Sequence, residues 1–155
     1  METTPHSTPR LRVLLFSSAG PASVSLTTWL AEQEGLLVCA PASTMHESIS
    51  LAVEFQPHVV LLDFHGLPVS TGYVVARLKE LPLRPAVFVL THDASAAMRR
   101  RCHASGVEAV FDKTAELDAL CDALGAALAH ADRNIANANQ PRPPDPTSRN
   151  HELCA

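Results

Sequence analysis

A chain of 155 residues, 46% of them hydrophobic and 18% charged, has the material for one domain with a sizeable core. A net charge of −4 argues against a nucleic-acid binder, which would show a strongly basic face. No apolar run is long enough to span a bilayer, and Met1 to Arg10 is polar and proline-containing, unlike a secretory leader.

Strand and helix patterns then alternate along the chain. Leu11 to Phe16 reads as a first strand, followed by Ser17-Ser18. Gly20-Pro21 opens a helix; Leu26, Trp29 and Leu30 recur at helical spacing, and Gly35 suits its C-cap. Leu36 to Ala40 is a short second strand. Thr44-Met45-His46-Glu47 is a capping box, and Met45, Ile49, Ala52 and Val53 form the inner stripe of the second helix. Val59 to Asp63 reads as a strand covered on both faces, as in parallel sheets, and ends on a carboxylate. A loop with Gly66, Pro68 and Gly72 follows. Thr71 is expected to cap a third helix with Val74, Val75, Leu78 and Leu81 inward, closed by Pro82 and Pro85. The fourth strand, Pro85 to Leu90, ends at Thr91. A weakly amphipathic helix runs from about Ala94 to Ser105, and Gly106 ends it. The fifth strand, from Val107, ends at Lys113; Thr114 is the expected N-cap of a last helix with the stripe Leu117, Leu120, Cys121, Leu124 and Leu128. From about Asn134 to Ala155 the chain carries four prolines and few large apolar residues, so residues 134–155 read as a flexible tail, like residues 1–10, around a domain at 11–133.

Five such units predict a doubly wound, five-stranded parallel sheet with right-handed crossovers and strand order 2-1-3-4-5. Ligands in such sheets bind past the carboxyl ends of the strands. Each gap between Asp63, Thr91 and Lys113 holds one helix and two short loops, so all three meet at one sheet edge. A carboxylate there can accept a phosphoryl group while a hydroxyl and an ammonium bind its oxygens; that chemistry needs mainly positioning and charge stabilisation.

On these residues, roughly Leu11 to Arg133 resembles the receiver domain of bacterial two-component response regulators. The resemblance implies a flavodoxin-like (βα)5 fold and a cytoplasmic signalling protein that is not an enzyme. It implies phosphorylation of Asp63 by a histidine kinase or phosphotransfer protein, with Thr91 and Lys113 assisting, and a downstream protein partner. Nothing after the receiver-like region is long enough for an output domain, so a stand-alone receiver is expected. A receiver's first strand usually ends in an acidic pair that holds Mg²⁺; here Ser17 and Ser18 stand in its place. Asp63 and the backbone carbonyl of His65 leave two ligands, so Mg²⁺ binding is expected to be weak or absent. The alternative function is a phosphorylation-independent pseudo-receiver that acts as a protein-interaction module. The aromatic switch position of receivers holds Val110, and Phe111 next to it should face the opposite way.

Output is expected through the fourth helix, fifth strand and fifth helix. Arg99, Arg100, Arg101, Glu108, Glu116, Asp118 and Asp122 would offer mixed charge to a homodimer or partner. The plain reading of the three arginines is a solvated helix face. His65 and His92, with Asp63 or Asp93, could hold zinc, but two solvated loop histidines is the favoured reading. No G-x-S-x-G surrounds Ser17 or Ser18, which argues against a serine hydrolase. Cys39, Cys102, Cys121 and Cys154 lack metal-ligand spacing and read as small apolar residues of a reducing compartment.

Overall fold

The computed structural model describes residues 10–17, 22–63 and 71–138. Five strands alternate with five helices: β1 (Leu11–Ser17), α1 (Ala22–Ala31), β2 (Leu36–Ala42), α2 (Met45–Phe55), β3 (Val59–Asp63), α3 (Thr71–Lys79), β4 (Ala86–Thr91), α4 (Ala96–Ala104), β5 (Ala109–Asp112) and α5 (Leu117–Ala138). The strands form one parallel sheet in the order β2-β1-β3-β4-β5, as the alternating pattern predicts.

Side chains alternate across the sheet and build two cores. Val60 and Leu62 of β3, with Val87 and Val89 of β4, pack against Ala52, Val74, Val75, Leu78, Met98 and Cys102 of α2, α3 and α4. Val59 and Leu61, with Phe88 and Leu90, pack against Leu30, Leu120 and Leu124 of α1 and α5. Val110 joins the first core and Phe111 the second, where Phe111 meets Phe88 edge to face at 5.7 Å. The continuous apolar runs of the central strands follow from this double coverage.

Several local expectations are corrected. Val53 is 56% exposed, while Ser48 is fully buried. The inner face of α2 runs through Met45, Ser48 and Ala52, and Val53 lies about 100° round the helix from Ala52. Ser48 tolerates burial because its hydroxyl donates to the Met45 carbonyl at 2.7 Å. Thr44 caps α2 as expected, accepting the Glu47 N–H at 3.1 Å; the Glu47 carboxylate returns mainly to the Ser43 N–H and hydroxyl, with a smaller contribution from the Thr44 N–H. Thr71 is the first helical residue of α3, not its cap. Thr114 does not cap α5 either. Asp112 Oδ1 takes the Thr114 N–H, the Thr114 hydroxyl and the Ala115 N–H, a local turn that delays the helix to Leu117. α5 then runs to Ala138, past the expected boundary at 134, and residues 139–155 lie outside the described part. β2 extends through Pro41 to Ala42; an edge strand accommodates proline, which has no N–H to donate. Cys102 is buried, whereas Cys39 and Cys121 are half-buried. Among the described residues, no helix is long and apolar enough to cross a membrane.

His58 closes the amino-terminal edge of the sheet. Its Nδ1 accepts the Arg12 N–H at 3.0 Å, so the ring is neutral at that nitrogen. Burial, then the nearby Arg12 charge, holds its pKa below the usual histidine value. A base whose pKa is lowered on folding contributes stability above its unfolded value, near 6.5, and loses it as pH falls from there. Urea midpoints between about pH 7.5 and about pH 5.5 are therefore expected to fall more in the wild type than in His58→Asn, which keeps an acceptor but cannot titrate. Equal falls would acquit His58.

Candidate functional site at the carboxyl edge of the sheet

Strand register sets the site. Ser17 pairs with Asp63 across β1 and β3, and Asp63 pairs with Leu90 across β3 and β4. Thr91 pairs with Asp112 across β4 and β5. The ends of four neighbouring strands thus face one solvent edge, and Asp63 sits at its centre.

Asp63 is only 2% exposed. The Lys113 ammonium pairs with Asp63 Oδ1; Lys113 itself keeps 14% of its side chain in solvent. The Ser17 hydroxyl donates to Asp63 Oδ2 at 3.0 Å. The Lys113 backbone N–H donates to the Thr91 carbonyl at 3.0 Å, which ties the start of the β5–α5 connection to the end of β4. Thr91 is buried, and its Oγ1 accepts the Asp93 N–H at 3.1 Å. The structure therefore brings Ser17 and Lys113 onto the Asp63 carboxylate and places Thr91 one residue beyond it on the neighbouring strand. Ser18 and His65 lie outside the described residues.

Both Asp63 oxygens are engaged, one by an ammonium and the other by a neutral hydroxyl. Magnesium takes hard, preferably charged oxygen ligands in octahedral geometry. One carboxylate already paired with lysine is a poor donor set, and the described residues do not fit that ion. Among the described residues, no three His, Cys, Asp or Glu side chains are placed to hold a metal, so the zinc reading of His92 and Asp93 gains no support. His92 instead stands near Asp112. The Asp112 carboxyl is held below the usual range by the Thr114 and Ala115 N–H groups and the Thr114 hydroxyl, with a smaller contribution from the His92 charge.

Three residues of the expected output face, Arg99, Glu108 and Glu116, are paired within the domain. Arg99 reaches across to Glu116, bonding both carboxylate oxygens at 2.8 Å, and both side chains stay partly in solvent. Glu108 pairs with Lys79 and accepts the Val87 N–H at 2.6 Å. Arg100, Arg101, Glu108, Asp118 and Asp122 are exposed. The Ser17–Asp63 bond was open to inference, because adjacent strand ends with this register put the two side by side. The Arg99–Glu116 pair had no comparable signal, since 17 residues and a strand separate the partners.

No family model matches the sequence. The "Virulence factors putative positive transcription regulator BvgA" of Bordetella pertussis is 34% identical over 101 residues, covering 64% of this chain and 48% of that protein. A Pseudomonas aeruginosa protein named "Putative transcriptional regulator" matches with the same identity and coverage. The chain spans about half the length of the curated relatives it matches. Among solved structures, the response regulator domain of Thermotoga maritima CheB superposes with a TM-score of 0.65 at 15% identity, over 77% of this chain and 96% of that one. A CheY-like response regulator receiver domain protein from Methanospirillum hungatei gives 0.64 at 18% identity, over 81% and 98%. Sheet order, helix placement and these likenesses agree: the chain has the fold of response-regulator receiver domains.

Proposed function

We propose that this domain is a signalling receiver that accepts a phosphoryl group on Asp63 from a histidine kinase or phosphotransfer protein. The observation that carries the reading is the Asp63–Lys113 pair at the centre of the sheet edge. An Asp63 oxygen attacks phosphorus, the bond to the donor's leaving group breaks, and an acyl phosphate forms. In this reading Lys113 moves from Oδ1 to a phosphoryl oxygen, and Thr91 supplies a hydroxyl. Acceptance of a phosphoryl group is signalling chemistry, so no further enzymatic activity is assigned. The signal leaves by protein contact, through Arg100 and Arg101 of α4 and Asp118 and Asp122 of α5. That exposed face suits a downstream partner or a homodimer.

A second reading, signalling by binding alone, is favoured by one observation: the Ser17 hydroxyl occupies Asp63 Oδ2 where a metal-assisted site needs negative charge. The chain's single tryptophan, Trp29, is the probe for Mg²⁺. The expected dissociation constant is above ~1 mM. Intact mass after incubation with acetyl phosphate is expected to show slow addition of one phosphoryl group, absent in Asp63→Asn. Ser17→Asp with Ser18→Asp should bind Mg²⁺ more tightly and label faster. The double variant should also be less stable without the ion, because like charges would crowd Asp63. Labelling of neither protein would overturn the phosphoacceptor reading in favour of the second.

A further inference from the structure

Arg99 makes four hydrogen bonds to three separate stretches of chain. Nε donates to the Ala94 carbonyl at 3.0 Å, in the connection that follows Thr91. Nη1 donates to the Val110 carbonyl at 2.7 Å, three residues before Lys113. Nη2 bonds both oxygens of Glu116, three residues after Lys113. Glu116 Oε2 also accepts the Asp112 N–H at 2.8 Å, and Asp112 Oδ1 in turn holds Thr114 and Ala115. The residues on both sides of Lys113 are therefore tied, directly or through one carboxylate, to a single guanidinium on α4. These bonds lie outside the Asp63 site, and none touches the carboxylate.

We propose that the Arg99–Glu116 pair is the positioning element for Lys113: it fixes the backbone from which the ammonium reaches Asp63. The proposal rests on the reading of Asp63 and Lys113 as the site. A planar guanidinium whose three nitrogens each bond a different stretch of chain is fixed in orientation, and a lysine at position 99 cannot reproduce a fork that spans three acceptors. Loss of the pair frees the β5–α5 connection and lets the Lys113 ammonium leave Asp63. A partner that captured Arg99 on α4 would act on the site by the same route.

The chain itself supplies the test, because it has two lysines, Lys79 and Lys113. Lys79 pairs with Glu108 and donates to the Pro85 carbonyl at 3.0 Å, away from Arg99, so it is an internal reference. Limited acylation of the full chain with an acetyl N-hydroxysuccinimide ester, read by peptide mass spectrometry, gives the ratio of Lys113 to Lys79 modification. Asp63→Asn should raise that ratio several-fold and marks the released end point. Arg99→Leu and Glu116→Gln should each raise it towards that end point, and Arg99→Lys should fall between them and the wild type. Arg77→Leu, which breaks the exposed Arg77–Glu80 pair on α3, should leave it unchanged. A ratio at the wild-type value in Arg99→Leu and Glu116→Gln, with Asp63→Asn raised, would overturn the proposal and leave the site reading intact. An unchanged ratio in Asp63→Asn would instead remove the Asp63–Lys113 pairing on which both rest. General loosening exposes both lysines and leaves the ratio flat, which also counts against the proposal. Should Arg99→Leu fail to fold, Glu116→Gln decides alone, since it keeps the shape of the side chain and an acceptor for Asp112.

Discussion

Lys113→Met is expected to cost about 3–5 kcal/mol of folding stability at neutral pH, since it strands a buried carboxylate. Asp63 is 2% exposed, and the Lys113 ammonium is the charge that faces its Oδ1. Ser17 still donates to Oδ2, but one neutral hydroxyl does not replace a cation. Lys113 retains 14% exposure, so some water reaches the pair and the lower end of the range applies. Domains of this kind are stable by only ~5–15 kcal/mol, so the variant should be visibly marginal in urea. Adding Asp63→Asn removes the stranded charge. The double variant should recover much of the loss, and the two single costs should not add. If Lys113→Met lies within ~0.5 kcal/mol of the wild type, Asp63 is solvated in solution and the pair is a surface contact.

The residues of this pair were legible in the sequence because strand ends are. A run such as Val59-Val60-Leu61-Leu62 has one way to be covered on both faces, and the polar residue that ends it must sit at the sheet edge. Lys113 and Thr91 followed from the same rule. Side-chain partners across elements were not legible. Arg99 looks like its neighbours Arg100 and Arg101 in sequence, yet it alone reaches Val110 and Glu116, because its place on α4 faces β5. Helix phase was the other failure. Val53 is apolar and its spacing points inward, whereas Ser48 is the buried residue, since a small residue that bonds its own helix fits where α2 meets the sheet. Thr114 does not cap α5 because Asp112 Oδ1 holds its N–H and hydroxyl, with the Ala115 N–H, in a turn ahead of the helix.

The same comparison of helix and strand positions yields the second large effect. Leu61→Ala is expected to cost about 2–5 kcal/mol, and Val53→Ala no more than ~0.5 kcal/mol. Leu61 is fully buried in the middle of the central strand. It lies in register with Leu15 on one side and Phe88 on the other, and α1 and α5 cover it with Leu30, Leu120 and Leu124. Truncation removes transfer energy and leaves a cavity that two strands and two helices cannot easily close, because β3 is pinned by hydrogen bonds to both neighbours. Val53 has the same chemistry but stands 56% exposed on α2, where truncation opens no cavity. The contrast separates burial from hydrophobicity, which a sequence alone merges. Urea midpoints at a shared slope measure both costs. A Leu61→Ala loss below ~1 kcal/mol at unchanged slope would show that α1 and α5 settle onto the sheet without penalty. In that event the layer beneath Asp63 is softer than its packing indicates, and the fixed placement of the carboxylate would depend on Ser17 and Lys113 instead of on the strand that carries it.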